Sequence, residues 1–171
     1  MGQKGITLYT ATGAAAHIAA GDDAAIYRAI FGSTSGITEA DNQLAAARVN
    51  DTTVSINTGV FSNQGFLLRV DASVNLAVDV GQAGFFRKDL ICAEYTIGGG
   101  ATSDVHILKV IKGTQNAVEG SVVDPTLIQG SLITGTAGDK RQEPLYRLTL
   151  SGVTLSGTIT RIAEYVGSYY A

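Results

Sequence analysis

VSIN (54–57), FLLRVD (66–71), SVNLAVDV (73–80), LICAEYTI (90–97) and DVHILKVI (104–111) stand at intervals of about ten residues, separated by Gly, Asn, Asp and Gln. Short β-branched and aromatic runs at that spacing predict an antiparallel β-sandwich. The alternation is cleanest in SVNLAVDV. There Val74, Leu76, Val78 and Val80 share one face, and Ser73, Asn75, Ala77 and Asp79 share the other. An apolar face of that size needs a second layer to cover it.

Working outward, QLAAARVN is expected to be a strand that turns through Asn50 and Asp51 into the TTVSI run. FLLRVD is apolar on both faces except at Arg69, which predicts a central position in a sheet. Arg87, Lys88 and Asp89 lie between two strands and read as a solvated turn with local pairing. Gly98–Gly100 reads as a hairpin tip, because one of its positions needs positive φ; with no Lys-Ser or Lys-Thr following, it is not a phosphate loop. The second strand of that hairpin carries His106, expected at the surface. The irregular stretch 114–143 is long for a compact domain, and a firm strand is expected from Leu145 to Leu150. A weaker segment follows it from Thr154 to Val166, and Tyr165, Tyr169 and Tyr170 gather near the end, where aromatics are idle unless docked.

Upstream, residues 1–21 form an N-terminal arm with a possible strand at Gly5–Thr10, and 22–171 form the single domain. Asp22 and Asp23 before AAIYRAIF, with Gly32 after it, predict a short helix over 23–31. Ile26 and Ile30 stack at i and i+4, with Tyr27 and Phe31 on the adjoining strip. A helix this short must dock its stripe. It either caps one end of the sandwich or belongs to an oligomer interface, and Ile26, Tyr27, Ile30 and Phe31 are the candidate contact residues.

The chemistry-bearing inventory is thin. His17 and His106 stand far apart, Cys92 is flanked by apolar residues, and no HExxH, GxSxG, P-loop or CxxC pattern occurs. No catalytic residue, metal ligand or cofactor is assigned, and no enzymatic role is expected. Cys92 is expected to be a core thiol. A net charge of −3 with scattered Lys and Arg argues against nucleic-acid binding, and no apolar run is long enough for membrane insertion. Only 16% of the residues are charged while 45% are hydrophobic. That balance leaves apolar surface for copies of the chain or other proteins to cover.

In order, DDAAIYRAIFG, TTVSINTGVFSNQGFLLRV, GFFRKDLICAEYT, HILKVIKGT and EPLYRLTLSGV resemble the small structural proteins of tailed-phage tail ends. The likeness is to the proximal "shoulder" domain of siphophage receptor-binding and baseplate proteins from Gram-positive hosts, and it covers roughly residues 22–155. It implies a β-sandwich with an N-terminal helix, assembled as a homotrimer and docked on other tail or baseplate proteins. Its expected location is the virion tail tip, after synthesis in the host cytoplasm. Many relatives carry a saccharide-binding head after the shoulder, whereas this sequence runs only about twenty residues past PLYRLTL. A trimeric adaptor is therefore the first expectation. The alternative is a carbohydrate-binding module that meets host cell-wall saccharide through Phe85, Phe86, Tyr169 and Tyr170.

Overall fold

The computed structural model describes residues 19–167, so His17, Tyr169, Tyr170 and the Gly5–Thr10 stretch lie outside the described residues. The fold is mainly β, with one helix, α1 (Ala20–Phe31). Eleven strands follow in three antiparallel sheets. β1 (Gly36–Ile37), β4 (Gly59–Asn63) and β5 (Phe66–Val70) form one sheet in the order β1-β4-β5. β2 (Ala46–Asn50), β3 (Thr53–Ile56) and β6 (Val74–Ala77) form a second, in that order. The largest runs β10-β9-β7-β8 and contains β7 (Phe86–Thr96), β8 (Val105–Ile111), β9 (Lys140–Ser151) and β10 (Thr154–Leu155), with β11 (Thr160–Arg161) also on β9.

One buried cluster joins all three sheets. Ile37, Phe61, Leu68 and Val70 come from the first, Val54 and Ile56 from the second, and Ile91, Ala93, Leu148 and Leu150 from the third. The three sheets are the layers of a sandwich packed around this one core. Tyr146 fastens the layers together, its hydroxyl donating to the Leu44 carbonyl at 3.0 Å inside the core. Near the C-terminus Tyr165 bridges to Ile37 in parallel, and its hydroxyl donates to Gln43. Of the two expectations for this aromatic, docking on the domain or on a neighbour, the structure shows the first for Tyr165.

The hairpin expected through Asn50 and Asp51 forms between β2 and β3, with its turn at Asp51–Thr52. Asn50 accepts from the Thr52 amide and hydroxyl, which closes that turn. Gly100 (φ +59) lies in the β7–β8 connection, where Gly99 bridges Thr102.

Four expectations are corrected. FLLRVD is not central: β5 pairs only with β4 and forms a sheet edge. SVNLAVDV leaves its sheet after Ala77, and of its apolar face Val78 is buried while Val80 is exposed. The firm strand at Leu145–Leu150 is longer, starting at Lys140 and passing through Pro144. Pro144 sits opposite Cys92, where the β7–β9 register shifts, and a bulge is where a strand tolerates a residue without an N–H. Finally, α1 begins at Ala20, so the arm boundary at 21 falls inside the helix. Asp22 is not the cap residue but sits in the first turn, where its carboxylate accepts from the Ala19 N–H at 2.7 Å.

Candidate assembly interface

Helix α1 is seated by glycine. Gly65, in the β4–β5 turn, has φ +87, and a Cβ there would stand 2.2 Å from the Ala24 carbonyl oxygen. The helix therefore lies directly on the turn, with Ala24 buried and Arg28 donating to the Gln64 carbonyl at 3.1 Å. On the docked side Tyr27 and Phe31 are half-buried and stack with centroids 6.2 Å apart. On the outer side Ile26 is 40% exposed and Ile30 45%. The four candidate contact residues thus divide into two that hold the helix to its own sheet and two that face solvent.

Below α1 lies a recess of about 260 Å³ that includes Ala20, Tyr27, Phe66, Leu67 and Tyr95. Tyr95 is its pivot. Its ring packs against Phe66 at 4.8 Å and against His106 at 5.0 Å, and its hydroxyl donates to Asp104. Burial, with Asp104 beside it, raises the Tyr95 hydroxyl pKa well above its ordinary value. His106 is not at the surface as expected. It sits on the inward side of β8 with both ring nitrogens buried, and burial lowers its pKa to about 4, opposed by a hydrogen-bonding contact with the Leu67 backbone. The imidazole is therefore neutral near pH 7.

A separate groove of about 400 Å³ lies between Leu68–Ala72, Val74 and Leu76 on one side and His106–Leu108 on the other. The exposed Val105 and Ile107 of β8 stand beside it. β5, β6 and β8 all meet this groove, and each has one paired neighbour in its sheet.

Arg87, Lys88 and Asp89 are not a solvated turn. They lie in β7, with Arg87 3% exposed and Asp89 fully buried. The guanidinium donates to both Asp89 carboxylate oxygens and to the carbonyls of Asp79 and Val80, while the Gly113 amide also donates to Asp89. This cluster ties the ends of β6 and β8 to β7. Nothing in residue order marks it, since Arg-Lys-Asp reads equally well as surface; only alternation along β7 puts Arg87 and Asp89 on one face.

Phe85 and Phe86 are half-buried, with Phe86 held in an antiparallel bridge to Asn116. Tyr169 and Tyr170, their partners in the glycan-contact expectation, lie outside the described residues. Cys92 is fully buried and its thiol is raised to about 12 by burial, with Glu143 and Glu94 adding to the effect. A thiol so raised is protonated and unreactive at neutral pH. Glu94 keeps a low pKa although burial pushes it up, because Gln142 and Lys109 donate to it. Among the described residues no three His, Cys, Asp or Glu side chains come close enough to hold a metal ion, and no helix is long and apolar enough to cross a membrane. No protein-family model matches the chain, and no curated protein sequence matches it.

Proposed function

We propose that this protein is a structural subunit of a phage tail tip or baseplate, a homotrimeric adaptor or receptor-binding-protein shoulder that acts in host attachment. The observation that carries the reading is the outer stripe of α1. Ile26 and Ile30 present their side chains to solvent on a helix whose other side is already docked on Gly65, Ala24 and the Tyr27–Phe31 stack. Two large aliphatic side chains one turn apart form the core of a helix-mediated contact between copies. The low charge content of the chain supports such a contact, and so does the sequence resemblance to shoulder domains.

Light scattering on the full-length protein tests it, with a trimer mass expected. The double variant Ile26→Asp/Ile30→Asp should run as a monomer while its β-type circular dichroism persists. A wild-type protein that stays monomeric at all concentrations would overturn the reading, as would saturable glycan binding by a protein that never assembles.

A further inference from the structure

We infer that the groove between β5, β6 and β8 is a strand-receiving site, and that its occupant is the Lys4–Thr10 stretch of a neighbouring copy. The inference rests on the proposed assembly and adds which surfaces carry it. Three sheets bring one edge strand each to the groove. An edge strand presents a row of main-chain donors and acceptors, and an added strand satisfies them. The floor is apolar: Leu68 and Val70 are buried, and Leu76 and Leu108 half-buried. His106 lines the same groove with its ring nitrogens buried and, beyond a contact with the Leu67 backbone, not satisfied, a polar demand that main-chain groups of an incoming strand would meet.

KGITLYT (4–10) fits this lining by pattern. Laid antiparallel to β5, Leu8 falls opposite Leu68, Ile6 opposite Val70 and Thr7 opposite Arg69. Both aliphatic side chains then face the apolar floor, and Thr7 shares the solvent side with the exposed Arg69. The same register sets Gly5 opposite the exposed Asp71 and Lys4 opposite Ala72, at the mouth of the groove. A slip of one residue would turn Ile6 and Leu8 outward. Residues 11–19 connect the stretch to α1 and span up to about 30 Å when extended, enough to reach an adjacent subunit.

Two differently tagged full-length chains, one carrying Thr7→Cys and the other Arg69→Cys, are mixed under mild oxidation. Cys92, fully buried, stays out of the exchange. A disulfide between the two tagged chains is expected. Adding Ile6→Asp/Leu8→Asp to the Thr7→Cys chain should cut its yield at least tenfold. If light scattering shows an assembled protein and no such link forms, or the link survives the double substitution undiminished, this inference is overturned and the assembly reading stands. A link found only within single chains of a Thr7→Cys/Arg69→Cys variant also overturns it. A protein that stays monomeric removes both.

Discussion

Arg87 and Asp89 meet at 2.8 Å on one face of β7, both withdrawn from solvent, and between them they gather the backbone of Asp79, Val80 and Gly113. An ion pair of this kind is costly to break from one side. The partner left behind is a buried charge with nothing to neutralise it, and such a loss is worth about 3–5 kcal/mol. Arg87→Met and Asp89→Leu are each expected to lower the urea midpoint severely. The double variant Arg87→Met/Asp89→Leu should be more stable than either single one, because it removes both charges together. Additive losses in the double variant would show that the pair is not what holds this region.

His106 sets a pH dependence with a definite sign. Its folded pKa is lowered to about 4 by burial, so the folded state binds fewer protons than the unfolded chain. Its contribution is fully present above the unfolded value of about 6.5 and is lost as pH falls toward the folded value, a fall of about 3 kcal/mol at most. Glu94 and Asp124, whose folded pKa values are depressed, lose their contributions lower, as pH falls below the ordinary carboxylate range. Urea unfolding between pH 7 and 4 is expected to show stability declining with acidity. His106→Leu should flatten the upper part of that decline and leave the lower part. An unchanged profile in His106→Leu would refute the assignment.

Gly65 tests whether α1 is seated as described. Gly65→Ala meets two penalties: a left-handed backbone, worth about 1–3 kcal/mol, and a clash with the Ala24 carbonyl. Gly84→Ala is the control, since Gly84 has φ +78 and open space where its Cβ would go. Both variants should lose stability. Only Gly65→Ala should speed amide hydrogen exchange across residues 20–31, and equal exchange in the two would show that the helix does not rest on this turn.

The parts of the fold legible in the sequence were those set by local pattern. Alternation located β3, β5, β7 and β8, and the glycines marked the β7–β8 tip, because side-chain period and positive φ are properties of a few adjacent residues. Edge or central position was not legible. FLLRVD has the composition of a central strand, yet its free side faces the groove, and what decides that is the sheet's strand order. His106 was misplaced for a related reason. Alternation assigns it the same face as Leu108 and Val110, and a histidine on an apolar face looks solvated until Tyr95, itself backed by Phe66, is seen to pack against it. Pro144 shortened the expected β9, since proline reads as a break unless the bulge that accommodates it is known. Of the interface candidates, the helical spacing of Ile26 and Ile30 was visible, but which strip of α1 docks was decided by Gly65, far along the chain.

Two of the side-chain anchors on the irregular stretch between β8 and β9, at Asp124 and at Ile128, are ranked by their burial. Arg147 donates to both Asp124 oxygens, but each side chain is about a third exposed (34% and 32%), so water screens the pair. Gln142 is 5% exposed; its side-chain amide donates to Glu94 and its side-chain oxygen accepts from the Ile128 amide at 2.9 Å. Asp124→Ala is therefore expected to lower global stability by no more than about 1 kcal/mol, while amide exchange rises locally over 119–128. Gln142→Ala removes a buried donor from the Glu94 carboxylate and a buried acceptor from Ile128, with an expected loss of about 1–3 kcal/mol. It should also raise the Glu94 pKa, since burial would then be opposed by Lys109 with less help, so the acid decline of Gln142→Ala should begin at higher pH than that of the wild type. A larger loss from Asp124→Ala than from Gln142→Ala would reverse the order of these two anchors.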